Sequence, residues 1–521
     1  MNKELLQIDK LFKENKFNQV IKKTKVLINS ESEIPPYYNL LGLSLSRLGK
    51  DLEAEKYFLQ GIKKYTKEIS LKSNIAQIQL NLKKFDEAEK NLNEAFKINK
   101  SDIFSLFVLG KLKREQYKLE EAISIFKKIC EINVKFPNAI IFLGQTYLDL
   151  AQQKNDKNFY NLAEKNLLIS SELFPLATGV DYTLSTIIDY SKNKNHQKKM
   201  LNKIEKMDID ENKKHFIYFA IGKSFEDQKK YEQSYQFIKL ANESVNKNID
   251  QDILKKEILK YRNIKKIFDD ADLVYPNANK LCQKKIIFII GLPRSGTTLV
   301  HQLLSSVNDS YGLGESIIFN KFFEKNIFDK KFILNLFNKK KMEEEIIKIS
   351  NEMGNAYNLI TDKNILIDKM PPNFYWVGFI KLLFPNAKII HTSRNVKDNF
   401  ISIYKNLYGT KDMDWSYSQS NILKFIKNYN NMMSYWKQSY KNSIYELKYE
   451  NLVQDKIKET KKLFTFCDLE WNEKVFEFYK NAKTIRTASI NQVKRPIYQS
   501  SVNSSSNYAN YIDFFNQLEN I

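Results

Sequence analysis

Small residues recur at a fixed interval of 34 residues in the first half of the chain, and this period restricts the fold more than any other feature. Gly42, Gly110 and Gly144 lie on it, and Ala76 fills the step between the first two. A second small residue follows 12 positions after residues 42, 76 and 110, namely Ala54, Ala88 and Ala122. A large apolar residue comes four positions after each of these: Phe58, Leu92 and Phe126. This period predicts helix pairs that pack too closely at the small positions to admit a larger side chain, with the large apolar residue filling the gap toward the next pair.

The spacing resembles that of the tetratricopeptide repeat. It slips after Gly144 and returns in a late repeat made of Gly222, Ser234, Ile238 and Ala241. We therefore predict a tetratricopeptide-repeat α-solenoid of about six to eight helix pairs over residues 1–265, followed by a linker at 266–282. The resemblance implies a peptide or protein bound on the concave face. The alternative is an array that only supports or dimerises the second domain.

Residues 284–298 predict an anion site at the start of the second half. The apolar run Ile286–Ile290 predicts a buried parallel strand, Gly291 and Gly296 bound the loop that follows, and a helix comes next. The N–H groups and the dipole of such a helix N-terminus favour a phosphate. The glycine spacing is that of a P-loop, but Thr297 stands where a nucleoside triphosphatase needs lysine. The sequence therefore argues against an ATPase or GTPase and for a smaller phosphate-bearing donor.

Apolar strands alternate with amphipathic helices from Lys284 onward, which predicts an α/β domain with a largely parallel sheet over residues 283–521. Further strands are predicted at 365–367, 388–392 and 443–448. The strand at 388–392 leads to Arg394, and Ser402 lies two turns along the next helix, so the two residues could hold a second anion. A salt bridge from Arg394 to a neighbouring carboxylate is the alternative.

Charge and cysteine usage narrow the class of protein. The formal net charge is +22, but the lysines are spread over the whole chain and form no basic-aromatic patch, which disfavours a specific nucleic-acid binder. The three cysteines, Cys130, Cys282 and Cys467, have neither disulfide nor zinc-site spacing, and no His, Cys and Asp cluster indicates a metal. No segment has the length and apolarity of a signal core or membrane span. We expect a cytoplasmic protein.

The two anion motifs together resemble those of the P-loop sulfotransferases, which use 3′-phosphoadenosine 5′-phosphosulfate (PAPS) as the sulfonate donor. Gly291–Leu299 resembles that family's 5′-phosphosulfate loop, and Thr392–Ser402 resembles its 3′-phosphate motif. The resemblance covers about residues 283–510 and is closest to the tyrosylprotein sulfotransferases and their bacterial relatives with tetratricopeptide repeats. The resemblance implies that a P-loop without lysine is the expected form in a protein that binds this donor.

The resemblance assigns roles to individual residues. Glu315, 21 residues after Arg294, matches the catalytic base, and Lys369 matches the lysine that offsets charge on the transferred group. The implied catalytic residues are Arg294, Glu315, Lys369 and Ser489. The implied donor-binding residues are Arg294, Ser295, Gly296, Thr297, Thr298, Arg394, Ser402, Tyr449, Lys494 and Arg495. His301 and His391 do not match the histidine of the small-molecule sulfotransferases, so we interpret both as structural.

Two departures from the family bear on the donor. Asn406 replaces a basic residue on the 3′-phosphate helix, and residues 499–508 carry no positive charge where the relatives have one. Both changes weaken donor binding or move the phosphate contact to Lys494 and Arg495.

We predict a PAPS-dependent sulfotransferase acting on an acceptor hydroxyl, with the repeat domain binding or presenting the acceptor. The acceptor class stays open among a protein tyrosine, a sugar, a lipid and a small molecule. The principal alternative is a repeat-based scaffold with an inactive sulfotransferase-like domain. A nucleotide kinase with an unusual loop is a further alternative, which the missing lysine disfavours.

Overall fold

The computed structural model describes residues 3–30, 34–133, 136–250, 252–270, 284–480 and 496–512, together with Phe515 and Leu518. The chain divides into two compact units, Met1–Val180 and Asp181–Ile521. The helix Ile253–Asp270 ends inside the predicted linker, and the rest of that linker lies outside the described residues.

The first unit consists of helices of 11 to 18 residues, each of which contacts the next along the chain. Their bounds are α1 Lys3–Lys13, α2 Phe17–Ile28, α3 Pro35–Arg47, α4 Asp51–Lys64, α5 Ile69–Asn81, α6 Phe85–Ile98, α7 Ile103–Glu115, α8 Leu119–Ile132, α9 Pro137–Lys154 and α10 Lys157–Leu173. Helix α11, Thr178–Ser185, spans the boundary between the units. These helices confirm the predicted repeat α-solenoid as a fold, and its extent to residue 265 stays a prediction.

The periodic glycines lie against the large apolar residue of their own helix pair. A Cβ atom on Gly42 would lie 2.3 Å from the Phe58 ring, and one on Gly110 would lie 2.6 Å from the Phe126 ring. Both phenylalanines are completely buried. The close approach at the small residues is as predicted. The Phe126 ring also lies 5.7 Å from the Phe142 ring of α9, so this large residue fills the space inside its own pair and the gap toward the next.

Four more helices begin the second unit: α12 Asn195–Lys206, α13 Lys214–Asp227, α14 Tyr231–Asn246 and α15 Ile253–Asp270. Helices α13 and α14 form the predicted late repeat, in which a Cβ atom on Gly222 would lie 2.9 Å from Ile238. This pair packs against the α/β part: Asn242 Nδ2 donates to the Tyr404 carbonyl at 3.0 Å, and the hydroxyls of Ser234 and Tyr508 are 3.1 Å apart.

A five-stranded parallel sheet forms the centre of the second unit, in the order β2-β3-β1-β4-β5. The strands are β1 Lys285–Gly291, β2 Ser310–Gly314, β3 Ile365–Lys369, β4 Lys388–Ser393 and β5 Ile444–Lys448. Four of them were predicted, and β2 was not. Side chains of β1 alternate between two cores, with Ile286, Phe288 and Ile290 on one face of the sheet and Ile287 and Ile289 on the other.

Nine helices connect and cover the described strands: α16 Thr297–Ser305, α17 Ile318–Asn326, α18 Lys330–Leu336, α19 Lys339–Ile360, α20 Val377–Leu383, α21 Val396–Tyr404, α22 Gln419–Ser439, α23 Tyr449–Gln454 and α24 Lys456–Phe466. Shorter 3₁₀ helices lie at Glu211–Lys213, Pro371–Trp376, Lys411–Tyr417, Glu473–Lys480 and Ser504–Tyr511. The 3₁₀ turn Pro371–Trp376 leads directly into α20. None of the helices in the described ranges is both long and apolar enough to cross a membrane.

Candidate functional site

All five strands end at one edge of the sheet, and each carries a residue that the sequence predicted to bind or react, either at its end or within the next three positions. β1 leads to Arg294, β2 to Glu315, β4 to Arg394 and β5 to Tyr449, while Lys369 is the last residue of β3. Ligands of open parallel sheets bind beyond the carboxyl ends of the strands. The fold thus brings five residues that are far apart in sequence to the edge where a ligand is expected.

The loop between β1 and α16 depends on its two glycines. A Cβ atom on Gly291 would lie 2.5 Å from the Thr392 carbonyl oxygen of the neighbouring strand. Gly296 has φ +99°, and a Cβ atom there would lie 2.8 Å from the Tyr449 ring. The Ser295 hydroxyl lies 2.8 Å from the Thr392 hydroxyl and ties the loop to β4. The loop therefore passes close to β4 and under the Tyr449 ring, and α16 begins directly after it.

Replacing Gly296 with Ala is expected to lower the free energy of unfolding by about 1–2 kcal/mol, the cost of a side chain in left-handed backbone, with displacement of the Tyr449 ring adding to it. Gly409→Ala is the matched control, because no heavy atom lies within 4 Å of a Cβ built there. Thermal unfolding followed by circular dichroism measures both. Equal stability of the two variants would contradict the described loop.

Two arginines meet beside this loop. Arg294, with φ +70°, donates from Nε to the Ser402 hydroxyl at 3.1 Å. Arg394 Nη1 donates to the Arg294 carbonyl oxygen at 3.3 Å. Desolvation lowers the pKa of the Arg294 guanidinium, and the charge of Arg394 adds to the effect. Two cations held together in this way indicate a place for an anion.

Arg394 retains unused hydrogen-bonding capacity. Its Nε and the Asn399 Oδ1 are buried and have no hydrogen-bond partner among the described residues. Both residues line a cavity of about 420 Å³, together with Ser295 of the loop. A phosphate oxygen is an acceptor of the kind that a buried guanidinium N–H requires.

The C-terminal segment is fastened to this cluster by Asp398, which the sequence analysis did not identify. Its buried carboxylate accepts from the backbone N–H groups of Asn503 and Ser505, each at 2.8 Å. Arg394 Nη2 donates to the Ser501 carbonyl oxygen at 2.6 Å and lies 3.9 Å from Asp398. The four-residue spacing of Asp398 and Ser402 was the available signal, because it places both on one face of α21, which begins two residues after Arg394.

Glu315 and Lys369 form an ion pair on the other side of the loop, with 2.5 Å between Lys369 Nζ and Glu315 Oε1. The Lys369 side chain is 1% exposed, whereas that of Glu315 is 43% exposed. Burial lowers the pKa of the Lys369 ammonium, and Glu315 opposes that shift. A carboxylate open to solvent and a desolvated cation behind it suit a base that meets an incoming substrate and a cation that faces a reacting group.

The two histidines have partners that fit a structural role. His301 Nε2 accepts from the Gly314 N–H at 3.2 Å and so supports the turn that carries Glu315. His391 Nδ1 lies 2.6 Å from Glu446, and its Nε2 contacts the Tyr429 hydroxyl. Burial lowers the pKa of His391.

Two tyrosines beside Arg294 were also missed. Burial raises the pKa of Tyr182, and the positive charge of Arg294 acts in the opposite direction. Burial also raises the pKa of Tyr408, and the charge of Arg294 again opposes the shift. The Tyr408 hydroxyl has no hydrogen-bond partner in the described part of the chain. Tyr182 belongs to α11, so the helical part of the second unit contributes a side chain to the site. No sequence motif marks either residue.

Three predicted site residues, Ser489, Lys494 and Arg495, lie outside the described residues. Thr297 and Thr298 are buried in the first turn of α16. Asn406 Nδ2 donates to the Ser402 carbonyl oxygen at 2.6 Å, so it is engaged with the backbone of its own helix turn. Across the described residues, no group of three His, Cys, Asp or Glu side chains could hold a metal ion.

Models of known families match parts of both halves of the chain. Residues 287–473 match the model of the sulfotransferase family. Residues 35–63 and 69–102 match that of the tetratricopeptide repeat. The predicted family resemblance is confirmed for these two regions.

Parts of the chain are also similar to individual proteins. An uncharacterized protein of Aquifex aeolicus (strain VF5) is 30% identical over 305 residues, which are 56% of this chain and 40% of that protein. This chain thus spans less than half the length of that relative. A Caenorhabditis briggsae protein provisionally named protein-tyrosine sulfotransferase is 22% identical over 199 residues, 38% of this chain and 70% of that one. The sulfotransferase domain of the Synechococcus PCC 7002 olefin synthase is 16% identical, with a TM-score of 0.34, over 47% of this chain and 97% of that one.

Proposed function

We propose that this chain, whose residues 287–473 match the model of the sulfotransferase family, transfers a sulfonate group from PAPS to an acceptor hydroxyl. One observation carries the proposal: the strand ends place two arginines and a glycine loop on one side and the Glu315–Lys369 pair on the other. The first group suits a donor with phosphate at both ends, and the second suits proton removal and charge stabilisation. We place the protein in the cytoplasm because its few cysteines are scattered.

The donor is held by two anion sites. The first-turn N–H groups of α16 and the loop residues Ser295 and Gly296 bind the 5′-phosphosulfate. Arg394 and Ser402 bind the 3′-phosphate, which ATP lacks, and Arg294 links the two sites because it contacts Ser402. The buried Arg394 Nε without a partner fits this role. Tyr449 covers the loop, and Ser489, Lys494 and Arg495 complete the donor site.

Transfer is an in-line displacement at sulfur. The acceptor oxygen forms the new S–O bond, the bond from sulfur to the 5′-phosphate oxygen breaks, and 3′,5′-adenosine bisphosphate leaves with that electron pair. Glu315 takes the acceptor proton because its carboxylate is exposed and lies at the strand ends. Lys369, with Arg294 and Ser489, offsets the negative charge that grows on the leaving oxygen. Positioning and electrostatics supply most of the rate.

The repeat unit binds or presents the acceptor in this proposal, and a protein tyrosine is the acceptor class we favour. The support is the match to tetratricopeptide repeats, which commonly bind peptides, and the similarity to a protein provisionally named protein-tyrosine sulfotransferase.

Incubation of the full chain with sulfur-35-labelled PAPS and a panel of tyrosyl peptides, sugars and phenols tests the proposal. We expect label on at least one hydroxyl acceptor and none when Arg394→Ala replaces the wild type at low donor concentration. Absence of transfer to every acceptor by folded protein that binds the donor would remove the enzymatic function.

A scaffold with an inactive transferase domain is the second candidate, and one contact favours it. The Ser501 carbonyl oxygen already accepts a hydrogen bond from Arg394 at 2.6 Å, at a guanidinium that the donor would need. Binding of peptides without any binding of 3′,5′-adenosine bisphosphate would support the scaffold.

A further inference from the structure

Asp368 stands directly before Lys369 on β3 and has no role in the mechanism above. Its side chain is completely buried. Because β3 pairs on both sides, Asp368 lies opposite Phe288 of β1 and opposite Gly314 of β2, where the register shifts between Gly312 and Gly314. Glu315 follows at the end of β2. The buried carboxylate of Asp368 is thus adjacent to Lys369 along β3. Across the sheet, its partner Gly314 directly precedes Glu315.

Neutral donors from three elements converge on this carboxylate. The Tyr357 hydroxyl of α19 donates to Oδ2 at 2.8 Å. The Asn373 amide of the 3₁₀ helix after β3 donates to Oδ1 at 3.3 Å. The Ser316 hydroxyl, in the turn that carries Glu315, also hydrogen-bonds to it. The carboxylate therefore joins α19, the turn after β2 and the turn after β3 around the ion pair.

Asp368 can exist with or without a proton in this environment. Burial raises the pKa of Asp368 to about 7, although the bonds from Tyr357 and Ser316 and the charge of Lys369 act against the shift. The titratable groups that influence it are Lys369 and Tyr357, with Glu315 on the far side of the ammonium. Asn373 Oδ1 is buried and has no partner among the described residues, so rotation of that amide would supply an acceptor for a carboxylic acid proton.

We propose that Asp368 is a positioning residue for sulfonate transfer: in its ionised form it keeps Lys369 charged and holds the turn that carries Glu315, without touching either reactant. This inference rests on the proposed function. Ionised Asp368 supplies a negative charge next to a buried ammonium and accepts the Ser316 bond. Protonation removes the charge and loosens the turn, so the Glu315–Lys369 pair loses its alignment.

The pH dependence of kcat follows from this role. We expect kcat of the wild type at saturating donor and acceptor to rise through about pH 7 and to level off above it. Asp368→Asn is expected to lack this limb and to reach a plateau about 10²-fold lower, the usual scale for misplaced catalytic groups, with an unchanged KM for PAPS. Tyr357→Phe removes one bond to the ionised form, so it moves the limb to higher pH and preserves the plateau. If Asp368 had only a structural role, neither Asp368→Asn nor Tyr357→Phe would change the pH at which kcat rises.

Stability gives a readout that does not require turnover. Because the folded-state pKa lies above the ordinary value, ionisation of Asp368 opposes folding increasingly from about pH 4 to pH 7 and fully above pH 7. Asp368→Asn should therefore have a Tm at pH 8 equal to or above that of the wild type, and this advantage should shrink toward pH 5. A Tm lowered equally at both pH values would overturn the assignment of a buried ionised carboxylate.

The kinetic outcomes separate this inference from the function on which it rests. An active wild type whose limb near pH 7 persists in Asp368→Asn would overturn the positioning role and leave the sulfotransferase proposal intact. A wild type that transfers nothing would overturn both.

Discussion

Replacing Glu315 with Gln is expected to lower kcat for sulfonate transfer by about 10²–10⁴-fold, the range that general-base catalysis contributes. The amide keeps the shape of the side chain but cannot take the acceptor proton. The donor site lies on the other side of the loop, so KM for PAPS should stay within about a factor of two of the wild-type value. Initial rates at saturating donor and acceptor measure the effect.

The chain offers a matched control for Glu315. Glu324 also pairs with a buried lysine, Lys260, at 2.7 Å, and its side chain is 47% exposed, close to the 43% of Glu315. It lies on α17 rather than at the end of a strand. Glu324→Gln should leave kcat near the wild-type value. Equal losses in the two variants would show that Glu315 acts through general stability and would contradict its role as the base.

Lys369→Met is expected to lower kcat by about 10²–10³-fold, the scale for removing one donor from a charge-stabilising site. Methionine fills a similar volume without the ammonium. Removal of the ammonium relieves the cost of burying that charge and leaves Glu315, which is 43% exposed, in contact with water. The buried carboxylate of Asp368 loses a neighbouring positive charge and therefore takes up a proton more readily, so the Tm should fall little. Rates and thermal unfolding of the same preparation separate the two effects.

Glu315 and Lys369 should also fail to act additively. They form one ion pair, so the double variant Glu315→Gln with Lys369→Met is expected to lose little more than the worse single variant. Losses that multiply would show that the two residues serve separate steps.

The sequence predicted the repeats and the central strands because local signals determine both. Gly42 and Gly110 recur where a Cβ atom would enter an aromatic ring, and the runs at β1 and β4 are apolar because both strands lie inside the sheet. Strand β2 was missed because Ser310–Gly314 is short, contains two glycines and lies at an edge of the sheet. Its pairing with β3 supplies what the local sequence lacks.

The site was predicted as separate motifs, and only the fold shows how they connect. Glu315 and Lys369 are 54 residues apart and meet because β2 and β3 are neighbours in the sheet. The bonds from Asp398 to the C-terminal segment, about a hundred residues away, depend on tertiary packing that no local pattern encodes. The same is true of Tyr357, which reaches Asp368 from α19. The roles of Ser489, Lys494 and Arg495 stay predictions.

Calorimetric titration of the full chain with 3′,5′-adenosine bisphosphate tests the central claim most directly, because it asks for the donor site without requiring the acceptor. We expect micromolar binding by the wild type, no binding of ATP, and binding weakened at least about tenfold in Arg394→Ala, since a charged hydrogen bond is lost. Arg114→Ala, which removes an arginine bonded to Asp149 in the repeat unit, should bind like the wild type. Folded wild-type protein that binds ATP equally well, or binds neither nucleotide, would contradict the account.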